Sequence, residues 1–230
     1  KYIDEEYAAL YEKEYAQRFG KYFAMLLWKA LGMPTDRAVR IVDVTANHGY
    51  PSLLYLKKLH SETRIVGISQ DHIALRYLHY AAGEMDNRRI FGRYDDTTHL
   101  PLAPNHFDFG YLNLAVEAVA SPPATARELA RIVKPGGRLG IVSPLAGSLG
   151  ELYDLVGNVL VALDETEYLR DLMANRLDAA TGDLLAELMT QADVKQVKFY
   201  RRTFSVQLPA GSYVSRDALM KHFLLRQIMH

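Results

Sequence analysis

Apolar positions fall at helical spacing over residues 3–18, where Tyr7, Tyr11 and Tyr15 recur every four residues, and again over 20–31, a more apolar stretch containing Trp28. The run "GMPTD" (32–36) breaks the pattern. From Arg40 onward, short β-rich runs alternate with amphipathic segments. "RIVDV" precedes a helix over 51–59 and "RIVGI" one over 71–83. "RRIFGR" follows with its loop, then "FDFGYLNL", a helix over 123–133, and "GRLGIVSP". Strands recurring at this spacing predict parallel pairing through right-handed crossovers, hence a doubly wound α/β core with helices on both sheet faces. Residues 148–192 read as helices with a polar break at "DAATGD". "VKQVKFY" and "TFSVQL" read as a terminal antiparallel hairpin over about 194–209, and "SRDALMKHFLLRQIMH" as a closing helix with a serine cap.

Composition narrows the chemistry. The 230 residues, 49% hydrophobic and 23% charged, suffice for one sizeable core. Twenty-seven basic and 27 acidic residues cancel, and neither sign gathers into a long block. That pattern gives no electrostatic footprint for nucleic acid or an anionic membrane, and favours small-molecule chemistry, with a homodimer or a protein partner left open. The absence of cysteine excludes disulfides, thiolate metal sites and cysteine nucleophiles. The eight histidines lack metal-ligand spacing, so no structural metal is expected. No apolar run reaches the length of a membrane span and the charged first residues lack a signal-peptide core, which makes cytoplasm the default. The chain opens on Lys1 rather than methionine, which leads to the expectation of a trimmed chain or a domain of a longer one.

In an open α/β sheet the ligand lies beyond the carboxyl ends of the strands, where strand order reverses. The stretch "IVDVTANHGYPSLLYL" (41–56) supplies one such strand, loop and helix. "HLPLAPNHFDFGYLNLAV" (99–116) and "ARELARIVKPGGRLGIVSP" (126–144) follow in order. Together these resemble the class I S-adenosylmethionine-dependent methyltransferases over about Arg40 to Pro144, with "KPGG" before the last strand as the most specific part. The resemblance implies a Rossmann-like, mostly parallel seven-stranded sheet with the terminal hairpin. It also implies residues 1–36 as a helical segment and candidate lid, and 37–230 as the methyltransferase-like domain with a helical insertion at about 148–192. The implied cofactor is S-adenosylmethionine or S-adenosylhomocysteine.

Carried over by position, the resemblance implies that Asp43 helps hold the amino-acid end of the cofactor and that Gly49 is the last glycine of the first loop. Asp96, followed by Thr97, falls where the family's aspartate accepts from the adenine amine, and Asn113 beside the methionine portion. Thr45 and Asn47 stand where the family has glycines, a degenerate first motif; asparagine tolerates the left-handed region and β-branched threonine does so poorly. Replacing both by glycine is therefore expected to tighten cofactor binding. Ser69 stands where an acid grips both ribose hydroxyls, with Gln70 or Asp71 as replacements, Asp71 more simply capping the next helix. His48 and Glu117 are the catalytic candidates, against a solvent-facing histidine and a solvated glutamate. Tyr11, Tyr15 and Tyr153 are the substrate-facing candidates, against tyrosines that merely pack. Two functions follow: methyl transfer to a small-molecule acceptor, or a non-catalytic scaffold or regulatory protein that keeps a degenerate pocket.

Overall fold

The computed structural model describes residues 10–85, 88–115, 119–177, 180–207 and 216–225. Helix α1 (Tyr11–Gly20) is wound as a π-helix and runs directly into α2 (Lys21–Leu31), which stops at Gly32 in the left-handed conformation. Five strands follow: β1 (Arg40–Asp43), β2 (Arg64–Ser69), β3 (Ile90–Tyr94), β4 (Phe107–Asn113) and β5 (Val133–Val142). The helices between them are α3 (Ser52–Leu56), α4 (His72–Glu84) and α5 (Pro122–Ile132). All pairings are parallel in the order β3-β2-β1-β4-β5, so the direction of winding reverses between β1 and β4.

The helix starts follow from their caps. Asp71 accepts from Ile73 N (2.7 Å) and Ala74 N (3.2 Å) to open α4, and Ser121 accepts from Ala124 N to open α5 ahead of Pro122 and Pro123. On one sheet face Val42, Val44 and Leu112 pack with Leu129 and Ile132 of α5, each buried aliphatic side chain stabilising by roughly 1.5–3 kcal/mol. Gly110 allows this approach, because a Cβ there would lie 2.6 Å from Leu129 Cδ1. The "KPGG" run is absorbed into a register shift at the start of β5.

The seven-stranded expectation is corrected: among the described residues the sheet has five strands and all are parallel. No strand forms over 194–207, and 208–209 lie outside the described residues. The physical reason is burial. A two-stranded hairpin is marginal unless one face packs, and here Val197, Phe199 and Tyr200 remain 38%, 58% and 42% exposed.

The chain divides into two compact units. One is Lys1–Ser143 with Leu185–Thr203 and contains the sheet; the other is Pro144–Leu184 with Phe204–His230. In the second unit α6 (Gly150–Ala162) and α7 (Thr166–Leu177) pack on each other, tied by Arg176 to Asp154 at 2.7 Å. Helix α8 (Gly182–Gln191) follows, and Met220–Leu224 forms a short π-helical turn. No helix among the described residues is long and apolar enough to cross a membrane.

Candidate cofactor site

Because the strands are parallel, the loops after β1, β2, β3 and β4 share one edge of the sheet, and the reversal of order places β1 and β4 at its centre. Asp43 ends β1 in register with Tyr111 of β4. It is wholly buried, with one carboxylate oxygen accepting from Thr45 N (3.1 Å) and the other from Ser52 Oγ (2.7 Å). Ser52 Oγ also lies 2.5 Å from the Tyr111 hydroxyl. Burial raises the Asp43 pKa to about 6 against the lowering effect of these hydrogen bonds. Asp43 therefore braces the loop from beneath.

Thr45 is held in the same network. Its hydroxyl accepts from Asn113 N at 2.7 Å, just where the β1 backbone turns away and leaves that β4 amide without its strand partner. The left-handed positions of the loop fall on Asn47 (φ 42°) and Gly49 (φ 93°), and Thr45 takes neither. Threonine thus occupies its place through a hydroxyl that substitutes for a ladder acceptor, with no positive φ demanded of a β-branched residue.

Above this brace sits an aromatic layer. His48 is partly buried, with its ring stacked on Tyr11 at 4.3 Å between centroids and tilted against Tyr77 at 5.0 Å. Asn47 Oδ1 lies in hydrogen-bonding contact with its Nδ1 and accepts from His48 N at 2.9 Å. Burial lowers the His48 pKa to about 4, offset in part by Asp71, so the ring is neutral at physiological pH. Tyr11 stacks on Tyr15, and the Tyr15 hydroxyl donates to the Ala115 carbonyl after β4, which ties α1 across the sheet edge. The solvent-facing alternative for His48 is replaced by this packed arrangement.

The remaining candidates separate by environment. Ser69 is buried and its hydroxyl accepts from Asp71 N (3.1 Å), with Gln70 exposed beside it. Asp96 is exposed, its carboxylate accepting from Thr98 N (2.9 Å) and Thr98 Oγ1 (2.8 Å), which holds it below the usual carboxylate range. Thr97 is buried and accepts from Thr125 Oγ1, pinning the loop to α5. Tyr153 belongs to α6 of the second unit, where the Arg176 guanidinium lies 5.6 Å over its ring. Glu117 and Tyr7 lie outside the described residues.

Asn113 carries the most informative atom. The residue is wholly buried, its Oδ1 accepts from Ala115 N (3.2 Å), and its Nδ2 has no hydrogen-bond partner among the described residues. A buried amide donor in that state is an unmet demand for an acceptor. Set at the reversal point, with the exposed Asp96 carboxylate on the same sheet edge, it fits a ligand that brings a carboxylate at one end and an amine at the other. The amino-acid and adenine ends of an adenosyl cofactor are such a pair. Ser52, Tyr111 and Tyr77 were not singled out from sequence; the pairing of "RIVD" with "FGYL" carried a usable signal for Tyr111, since residues opposed across parallel strands share a face.

Comparison with known proteins agrees with this geometry. The model of a methyltransferase domain family matches residues 42–141. A 2-phytyl-1,4-naphtoquinone methyltransferase of Synechococcus elongatus is 25% identical over 137 residues, 55% of this chain and 59% of that enzyme. A ubiquinone/menaquinone biosynthesis C-methyltransferase of Dinoroseobacter shibae is 26% identical over 80% of this chain and 75% of its own length. A malonyl-[acyl-carrier protein] O-methyltransferase of Pectobacterium atrosepticum is 31% identical over 52% and 44%. The chain thus spans less than two thirds of the Synechococcus and Pectobacterium enzymes. Among solved structures, a Bacillus halodurans protein assigned to the methyltransferases superposes with a TM-score of 0.55 at 13% identity, over 74% of this chain and 67% of that one, which bears on fold alone. Residues 42–141, with their parallel sheet and the reversal of order between β1 and β4, thus match the methyltransferase domain family, and the chain resembles the class I S-adenosylmethionine-dependent methyltransferases.

Proposed function

We propose that this protein binds S-adenosylmethionine at the β1–β4 reversal and transfers its methyl group to a small-molecule acceptor. The observation that carries the reading is the buried Asn113 Nδ2, a donor with no acceptor among the described residues at the family's cofactor position. When bound, the cofactor supplies an activated methyl group on a sulfonium. Asn113 Nδ2 donates to its carboxylate, Asp96 accepts from its adenine amine, and Ser69 with Gln70 serves the ribose that the family holds with an acid. Asp43 acts one layer down, fixing Thr45 and the loop.

The chain's own contribution to the chemical step is alignment, exclusion of water and removal of a proton. The aromatic layer of Tyr11, Tyr15, His48 and Tyr77 supplies the first two. For a hydroxyl acceptor the bound cofactor would supply the methyl group, with the sulfonium sulfur keeping the electron pair of the broken bond, and His48 would take up the acceptor's proton. A base of low pKa suffices, because the acceptor's proton becomes strongly acidic as the methyl group bonds. The relatives' names span carbon and oxygen acceptors, two of them quinone-pathway enzymes, which supports a small organic acceptor without choosing the atom.

The scaffold reading has Ser69 in its favour, a position at which no charge grips the ribose. Thermal denaturation with S-adenosylhomocysteine separates the two. A saturable rise in Tm, abolished in Asn113→Ala, supports the transferase. No rise at millimolar ligand, in protein shown to be folded, leaves the scaffold.

A further inference from the structure

The loop between β1 and α3 is held on both sides of its turn. Ala46 N donates to Ile68 O at 2.8 Å, which anchors the loop to β2, and Gly49 N donates to Ala46 O at 2.7 Å, which closes the turn around Asn47 and His48. Asn47 takes the left-handed conformation there (φ 42°), which asparagine adopts more readily than most side chains. The family pattern carries glycine at this place, and glycine meets that backbone requirement equally well. What asparagine adds is its side-chain amide.

The partners of that amide identify its atoms. Oδ1 accepts from His48 N at 2.9 Å, and because a backbone amide only donates, the atom in this position is the oxygen. The same oxygen touches His48 Nδ1. It has lone pairs and no hydrogen to offer. Were Nδ1 unprotonated, two lone pairs would face each other in a partly buried contact, whereas with hydrogen on Nδ1 the contact is a hydrogen bond. A neutral imidazole carries its hydrogen on one nitrogen and its lone pair on the other. Tyr11 of α1 and Tyr77 of α4, both buried, flank the ring and fix its plane.

We infer that Asn47 is a positioning residue, whose Oδ1 locks His48 as the Nδ1–H tautomer and so reserves the lone pair of Nε2 for the acceptor's proton. The inference rests on the methyltransferase reading for the use of that lone pair, and on the loop geometry alone for the tautomer. Asn47 acts through His48 and needs no contact with cofactor or acceptor. Its departure from the glycine pattern then equips the loop with an orienting group, as the second member of a base and orienter pair.

Long-range proton–nitrogen correlation spectra of the full chain, labelled at the histidine imidazole nitrogens and recorded at neutral pH without cofactor, test it. The His48 signals are identified by their loss in His48→Phe. The expected result in the native protein is one neutral tautomer with hydrogen on Nδ1. In Asn47→Gly, whose backbone suits the turn, the ratio of that tautomer to the other should fall roughly tenfold or more, the worth of one ordinary hydrogen bond. Asn47→Asp keeps an oxygen acceptor and should restore the native tautomer. Hydrogen on Nε2 in the native protein, a ratio unmoved in Asn47→Gly, or an Asn47→Asp spectrum that matches Asn47→Gly overturns the inference. A merely structural asparagine gives the second of these, with stability lost and the tautomer unchanged. Titration of the native protein with S-adenosylhomocysteine tests the cofactor reading separately, so the two failures are distinguishable.

Discussion

Asp43 and His48 sit within one loop and titrate in opposite senses. Burial raises the Asp43 pKa from 3.8 to about 6. Stability attached to that group is complete below pH ~4 and is lost as pH rises through 6. Burial lowers His48 from 6.5 to about 4, so its stability is complete above pH ~6.5 and is lost as pH falls through 4. The two windows nearly coincide and offset one another, each being on the order of 3 kcal/mol. Urea denaturation between pH 4 and 7 should therefore show little slope from this pair in the native protein. In His48→Phe, which keeps the stack, stability should increase on acidification; in Asp43→Asn it should decrease. The same sign of slope in both variants would contradict the assignment. Thr45 gives a second test at this scale. Because its hydroxyl accepts from Asn113 N, Thr45→Gly should destabilise the protein by about 1–3 kcal/mol, with Thr45→Ser restoring much of the loss. The glycine pattern leads to a separate expectation, tighter cofactor binding with glycine at both 45 and 47, which concerns affinity and not the stability of the loop. The pattern shows which residue types are unusual, whereas only the register of β1 against β4 shows that a hydroxyl is wanted there.

Among the elements, those whose start is fixed by a local device were legible in the sequence. Asp71 and Ser121 open α4 and α5 within one or two residues of the expected places, and the five β-rich runs from 40 to 142 all became strands. The terminal hairpin failed because alternation in "VKQVKFY" signals only that a segment can lie on a sheet, and no face covers Val197 or Phe199 here. Helix α1 lay between these cases. Tyrosines four apart told that one face packs, and Tyr11 with Tyr15 does pack, but the sequence held no sign of the Ala115 carbonyl that the Tyr15 hydroxyl reaches 100 residues away. Tyr15→Phe keeps the ring contacts with Tyr11 and Phe19 and removes that tie. It should cost about 0.5–1.5 kcal/mol by denaturant titration and speed amide exchange in the first turns of α1, and unchanged exchange would show that the tie does not hold the helix.

At the scale of the whole molecule, the proposed cofactor is held at the β1–β4 reversal through groups from separate strand ends. The parallel, doubly wound sheet was readable from alternation, and the resemblance to methyltransferases from "KPGG" and its neighbours, whereas the order β3-β2-β1-β4-β5 came from the structure. What was not readable is the hydrogen-bond network among the matching residues: Asp43 and Thr45 bond within the protein, and Asn113 and Asp96 are the pair we propose for the ligand. Isothermal titration of the full chain with S-adenosylhomocysteine tests this most directly. One site per chain is expected, weakened roughly tenfold or more in Asp96→Ala and in Asn113→Ala, with both variants folded. Heats indistinguishable from dilution in the native protein, or affinity unchanged in both variants, would contradict it.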